Sequence, residues 1–181
     1  MAKKKVKTLS SRVAYECKYM KIVEEDFTFD GGNIHKYYLV DRRDYVIVIA
    51  REGEYFYLIE QYRYTTKSRL IQVVAGAIEK GETSIEAARK ELKEEAGITA
   101  RKMKKIGWFY AYYGASDQVA NVFLAQGLKF GKQDLKGLEK ESDVRVKKYS
   151  FSEIKRMIKR GKIKDKDTLS AFCIYMLKYG N

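Results

Sequence analysis

Hydrophobic and polar positions change their period along this chain. Over residues 13–29 (VAYECKYMKIVEEDFTF) and 34–41 (IHKYYLVD) strand formers dominate and partly alternate. Between them Asp30-Gly31-Gly32-Asn33 is a turn signal, so the two runs predict a hairpin. A second pair, YVIVIA (45–50) and YFYLIEQY (55–62), flanks Glu52-Gly53-Glu54. Further strands are predicted at 70–74, 103–111, 119–128 and 144–149. Helical periodicity is confined to three places. Residues 83–96 open on Thr83 with Glu86 three positions later, a capping box, and close on Gly97. Residues 151–160 open after Ser150, with Glu153 three positions later, a second such box. Residues 166–179 carry an apolar stripe of Leu169, Phe172, Cys173, Met176 and Leu177. Many strands, one central helix, more strands and two final helices make an α+β domain with a mixed or antiparallel sheet. This is not the regular strand–helix alternation of a dinucleotide fold.

Composition narrows the picture. The 181 residues are 45% hydrophobic and 34% charged, enough apolar material for one packed domain with a small appended element. No apolar run approaches the ~20 residues of a membrane span, and the basic N-terminus lacks the apolar segment of a secretory signal. Cys17 and Cys173 are the only cysteines and have no metal-type spacing, which fits a reducing cytoplasm. The net charge of +13 permits attraction to anions, but the lysines are spread along the whole chain. Local clusters are limited to Lys3, Lys4, Lys5 and Lys7, expected to be a frayed tail, and to 155–166. Nucleic acid is therefore not the expected partner. Proline is wholly absent, where ordinary usage of ~5% would supply about nine.

Against this basic background, glutamates gather in GAIEKGETSIEAARKELKEEAGI (76–98). At ~100° per residue, Ile85, Ala88, Leu92 and Ala96 share one arc, the expected buried stripe. Glu91, Glu94 and Glu95 occupy a neighbouring arc. Like charges three and four residues apart repel, and the C-terminal half of a helix disfavours negative charge. Pairing with Lys90 and Lys93, screening by solvent, or a divalent cation among the carboxylates would each offset this.

The whole stretch follows G-x5-E-x7-R-E-U-x-E-E-x-G-U, with U a bulky aliphatic. Gly76, Glu82, Glu91, Leu92, Glu94, Glu95, Gly97 and Ile98 match, and Lys90 stands where the pattern has arginine. Lysine keeps the charge and loses the bidentate fork. The stretch resembles the Nudix box. The flanking LIEQYRY (58–64), LIQVVAGAIEKGE (70–82) and YYGASDQVANVFLAQGL (112–128) resemble the branch of that family that cleaves ADP-ribose and nucleoside diphosphate sugars. Here Gln72 replaces that branch's usual glutamate, while Val74 and Tyr113 replace usual prolines.

The resemblance implies a Nudix fold, a mixed β-sheet core sandwiched by helices, over residues 43–181. It implies a small N-terminal antiparallel sheet over 1–42 in contact with a homodimer partner. It further implies Mg²⁺, or Mn²⁺, held by Glu91, Glu94, Glu95 and the Ala75 carbonyl, with Glu82 bracing the loop and supporting the metal site. Glu94 and Glu95 are also catalytic candidates. Arg63 and Gln61 of the QYR segment and Asp117 of the SDQ segment are candidates for substrate phosphate or sugar. A general base is expected from the segment 131–146, with Glu141 placed ahead of Glu139. Tyr15, Tyr19, Phe27, Phe29, Tyr37 and Tyr38 serve packing or base stacking, and His35 is an ordinary surface or interface residue. The expected reaction is metal-dependent hydrolysis of the diphosphate of ADP-ribose or a related nucleotide sugar. Two rivals remain: a Nudix enzyme acting on other nucleotide polyphosphates, which the QYR and SDQ segments oppose, and an inactive module that binds RNA or nucleotides. A binding module has no need to keep three repelling carboxylates.

Overall fold

The computed structural model describes residues 4–180; Lys3 of the basic N-terminal cluster lies outside them. Two compact units emerge. One comprises the chain up to Asp44 together with Tyr110–Val119, and the other comprises Tyr45–Phe109 together with Ala120 onward. The segment 110–119, expected within the catalytic domain, groups with the N-terminal strands.

The N-terminal unit is a three-stranded antiparallel sheet of β1 (Val6–Cys17), β2 (Met20–Phe29) and β3 (Ile34–Asp41), in that order. Two sequence expectations are corrected here. The run 13–29 is two strands, turning at Lys18 and Tyr19, neither of which supplies the glycine or asparagine that marks a turn. The basic tail is also not frayed from Val6 onward. Lys7 lies in β1 opposite Thr28, and the Lys5 N–H donates to Asp30 Oδ1 at 2.8 Å. Side chains divide by face as strand alternation requires. One face carries Arg12, Glu24, Lys36 and Asp26 in a cross-strand ion-pair ladder. The other carries ring contacts of Phe27 with Phe29, His35 and Tyr37. The segment 110–119 docks on β3 through the Val40 N–H, which donates to the Ala115 carbonyl at 2.6 Å, and through the Tyr37 hydroxyl to the Gly114 carbonyl.

The larger unit is built on a mixed sheet ordered β10-β5-β4-β9-β8. Its strands are β4 (Tyr45–Glu52), β5 (Tyr55–Arg63), β6 (Ser68–Gln72), β7 (Val74–Ala77), β8 (Ile98–Tyr110), β9 (Val119–Phe130) and β10 (Arg145–Ser150). The helices are α1 (Ser84–Ala96), the single turn α2 (Leu138–Glu141), α3 (Phe151–Lys159) and α4 (Lys166–Tyr179). β4 is apolar at every position from Val46 to Ala50 because both faces are covered. Val46, Val48 and Ala50 face Ala87, Ala88 and Leu92 of α1, whereas Ile47 and Ile49 join Ile154 of α3 and Phe172 of α4. The sheet is thus sandwiched between helices, as the resemblance implies.

The strand expected at 70–74 is also two strands. β6 pairs with β5, and after Val73 the chain changes partner, so that β7 pairs with the first half of β4. β4 consequently runs parallel to β9 on one side and meets β7 and then β5 on the other. That fork sets Ala75 and Gly76 opposite Ile47 and Val46, and the next loop leads directly into α1.

Candidate active site

α1 begins and ends where its sequence directs. Thr83 and Glu86 form a reciprocal capping box, and Gly97 takes the left-handed conformation at φ +65°. Between these ends the buried positions are Ala87, Ala88, Leu92, Glu95 and Ala96, while Ile85 is 40% exposed. The expected stripe is therefore rotated. Ile85 gives way to Ala87, and the acidic arc lies within the buried arc instead of beside it. The cause is the fork: α1 packs over β7 and β4, and this turns the Glu91–Glu95 edge of the helix inward.

Both inward carboxylates are tightly accommodated. Glu91 lies where a side chain on Gly76 would be, so a Cβ there would collide with its carboxylate. This close approach is the physical reason for glycine at that position. Glu95 is 4% exposed and accepts the Ala75 N–H at 3.2 Å. Burial pushes the Glu91 carboxyl up to about 7. The Lys90 ammonium opposes the rise, while the charges of Glu94 and Glu139 add to it. Burial pushes Glu95 up to about 8, against the Ala75 N–H and Arg63, with Glu139 and Glu91 adding to the rise. A carboxylate pair in low dielectric without full compensation is expensive unless a cation joins it.

The other two box glutamates are already engaged. Glu82 accepts Lys90 Nζ at 2.9 Å and the Glu79 N–H at 3.0 Å, so it braces the loop before the helix. Lys90, in the arginine position, also lies 3.5 Å from Glu91 and spans both carboxylates without a guanidinium fork. Glu94 is held by Lys136 at 2.5 Å. No three acidic, histidine or cysteine side chains among the described residues converge as ligands of one ion. The donor set is nevertheless all oxygen: the Glu91 and Glu95 carboxylates, with the Ala75 carbonyl on the strand they face. One or two carboxylates, leaving room for water and substrate oxygens, suit Mg²⁺ better than a closed protein cage does.

The segment after β9 closes over the end of α1. Gly131 N–H donates to the Gly97 carbonyl at 2.7 Å, Asp134 N–H to the Glu94 carbonyl at 2.9 Å, and Gln133 Nε2 to the Glu95 carbonyl at 2.5 Å. Carbonyls that a helix leaves open at its C-terminus are thereby satisfied. The segment continues into α2. Of the two candidate bases, Glu139 is half-buried and its charge acts on both Glu91 and Glu95, whereas Glu141 is exposed. An open cleft of about 820 Å³ beside this segment is bounded by Ala96, Phe130, Leu135, Lys140 and Val146; none of the site glutamates lines it.

The substrate candidates separate. Arg63 is half-buried, donates from Nε to Gln72 Oε1 at 3.1 Å, and acts electrostatically on Glu95. Gln61 is buried, and its amide is engaged with Gln72 and Ser142. Asp117 is exposed on the segment belonging to the N-terminal unit. Sequence reasoning missed Gln133, Lys136 and Ser142. None belongs to a recognisable motif, and Ser142 meets Gln61 from 81 positions away.

Comparison with known proteins bears on the family and the fold. The ADP-ribose pyrophosphatase of Bacillus subtilis (strain 168) is 28% identical over 174 residues, covering 95% of this chain and 93% of the relative. The methanol dehydrogenase activator of Bacillus methanolicus is 28% identical over 166 residues, covering 91% and 89%. The crystal structure of an ADP compounds hydrolase superposes with a TM-score of 0.86 over 99% of this chain and 98% of that one. At 20% sequence identity, that likeness speaks to the fold. The NUDIX domain model matches residues 41–172, a span holding α1, its buried carboxylates and the strands that present them, and the chain belongs to the Nudix family.

Proposed function

We propose that the protein is a Mg²⁺-dependent hydrolase of the diphosphate bond in ADP-ribose or a related nucleoside diphosphate sugar, releasing a nucleoside monophosphate and a sugar phosphate. The observation that carries this reading is the pair Glu91 and Glu95, two carboxylates turned into the protein against Gly76 and Ala75 and raised far above their ordinary range. Glu91, Glu95 and the Ala75 carbonyl would hold the ion, with Glu94 joining if Lys136 releases it. Mn²⁺ has the same preference for oxygen ligands and is the expected substitute. Bound there, the divalent cation would supply charge neutralisation at the diphosphate oxygens and lower the pKa of a bound water.

The chain's own residues supply the rest. Arg63 projects from the end of β5 beside Glu95 and offers a guanidinium to a phosphate or sugar oxygen. Glu139, half-buried and close enough for its charge to reach both metal-site carboxylates, is the base that takes the proton from the attacking water. Glu141 is the less favoured candidate because it is exposed. As the water oxygen bonds to phosphorus, the bridging P–O bond breaks and the leaving phosphate departs with the electron pair. Names among the relatives support ADP-ribose as the first substrate to try; GDP-mannose is the second, from a relative 26% identical over 154 residues.

A homodimer and a cytoplasmic location belong to the same reading. The N-terminal sheet leaves Val13, Tyr15, Tyr19 and Ile34 exposed, and both cysteines are free. No helix of the described residues is long and apolar enough to cross a membrane.

The test is phosphate-ester release from ADP-ribose, GDP-mannose, UDP-glucose, ADP-glucose and deoxynucleoside triphosphates, with Mg²⁺ and with EDTA. Metal-dependent cleavage of a nucleotide sugar is expected. Cleavage of triphosphates alone would move the protein to another branch of the family. No cleavage by the folded chain would point to a binding module.

A further inference from the structure

A chain of side-chain hydrogen bonds runs beneath the site from Arg63 to α2. Arg63 Nε donates to Gln72 Oε1 at 3.1 Å, and Gln72 Nε2 donates to Gln61 Oε1 at 3.3 Å. Gln61 Nε2 donates to Ser142 Oγ at 2.8 Å, and the Ser142 hydroxyl donates to the Glu139 carbonyl at 3.0 Å. Gln61 and Gln72 are both buried, at 4% and 6% exposure, so each amide relies on this chain instead of water.

The backbone around Ser142 is fastened as well. Its carbonyl accepts the Tyr62 N–H at 3.1 Å, and Arg69 Nη2 donates to the Asp143 carbonyl at 2.7 Å. Asp143 holds a left-handed conformation at φ +52°, unusual for a residue with a side chain and tolerated where the surroundings hold it. A four-residue helical turn has little stability of its own. Its position comes from the two ends: Gln133, Asp134 and Lys136 on α1 before it, and Ser142 on β5 after it.

We propose that Gln61, Gln72 and Ser142 form a clasp that sets where α2 carries Glu139, making them positioning residues that tie the Arg63 end of the site to the base. This rests on the hydrolase reading above. The direction of the bonds explains Gln72. Its oxygen faces Arg63 and its amide nitrogen faces Gln61, and only an amide does both. A carboxylate at that place would accept from Arg63 but not donate to Gln61. The Gln61 amide would then turn over and present oxygen to Ser142. The serine hydroxyl would swing to that oxygen and release the Glu139 carbonyl. Gln72, where the related branch ordinarily has glutamate, is on this view what makes the clasp of this chain.

The test uses the full chain with Mg²⁺ and two readouts. The first is amide hydrogen exchange of Glu139, Lys140 and Ser142, whose N–H groups are bonded within and around the turn. Ser142→Ala and the near-isosteric Gln72→Glu are both expected to speed exchange there several-fold and leave α1 unchanged, with Ser142→Thr restoring protection. The second readout is ADP-ribose hydrolysis. There Ser142→Ala is expected to lower kcat about tenfold with KM held within about twofold, the signature of a misplaced reacting group. Unchanged exchange in α2 would overturn the clasp. Faster exchange throughout the domain would do the same, showing general stabilisation only. Faster exchange with wild-type kcat would overturn the positioning role. If the wild-type chain hydrolyses nothing, the hydrolase reading fails, while exchange still decides the clasp.

Discussion

A carboxyl group buried beside another keeps its proton longer than one in water, and this links Glu91 and Glu95 to stability. Their folded-state values of about 7 and about 8 lie above the ordinary 4.5, so between those limits the folded chain binds more protons than the unfolded one. Stability from this pair is therefore complete below about pH 4.5 and is lost as pH rises through 7 and 8. Glu82 and Glu86 are held below their ordinary value, so their titration ends before that window opens. In EDTA the melting temperature is expected to fall by several degrees from pH 5.5 to 8.5, at about 2–4 °C per kcal/mol for a chain of this size. With saturating Mg²⁺ the loss should reverse at the alkaline end, because a cation binds the ionised pair and not the protonated one. Glu95→Gln keeps an acceptor for the Ala75 N–H and removes one titrating group. It should flatten the EDTA profile while lowering kcat at least 100-fold, a magnitude typical of removing charge stabilisation from a transition state. Thermal scans across pH, paired with the hydrolysis assay, check both halves. A pH-independent melting temperature in EDTA would mean that the two carboxylates are not buried together.

α1 is only as well placed as the segment that closes its end. Gly97 is constrained twice, by φ +65° and by the Gly131 carbonyl oxygen and Gln133 nitrogen, which would lie 2.7 and 2.9 Å from an added Cβ. Both neighbours are backbone and cannot rotate aside. Gly97→Ala is expected to destabilise the chain by about 2 kcal/mol or more, beyond the 1–2 kcal/mol of a left-handed alanine alone. It should also reduce kcat, because the displaced segment leads into α2; urea unfolding and hydrolysis rates measure the two effects. The same helix shows what could be read beforehand. Thr83, Glu86 and Gly97 act within a turn of their own backbone, so cap and stop were legible, as was the box of glutamates. The inward rotation of Glu91 and Glu95 was not, because a helical wheel assigns burial to apolar residues, whereas here a strand fork turns two carboxylates inward and leaves Ile85 exposed. The turn at Lys18 and Tyr19 carried no signal, since neither residue is a turn former and tyrosine suits a strand. The break between β6 and β7 follows from a change of partner that no local pattern encodes. α2 is too short for periodicity, and Ser142 acquires its role only when Gln61 arrives from another strand.

At the scale of the whole molecule, the N-terminal sheet poses a packing question that one chain does not answer. Its charged face is satisfied internally by the Arg12, Glu24, Lys36 and Asp26 ladder. Its apolar rows are less complete: Val13 pairs with Val23, and Val23 with Leu39, yet Val13 is 50% exposed. On the same face Phe29 and Tyr37 are also exposed large side chains, whereas Tyr15 and Ile34 stand opposite Ile22 and Thr28 on the face of the ion-pair ladder. Three strands with one apolar face gain independent stability by packing that face against something. In an isologous dimer the same patch on a second copy would supply the cover. Sedimentation at micromolar concentration is expected to give twice the chain mass of 21.1 kDa. Val13→Glu places a charge in the middle of the row, where desolvation without a partner is unfavourable. The variant should sediment as a monomer and keep the melting transition of the larger unit, because β1 contributes nothing to the core around β4. A wild-type monomer would remove the dimer from the reading, and a dimer that survives Val13→Glu would move the interface off this sheet. If the monomeric variant also loses ADP-ribose affinity while its Mg²⁺-dependent thermal shift persists, the partner contributes to the substrate site and not to the metal site. That outcome would account for exposed aromatics on strands remote in sequence from α1.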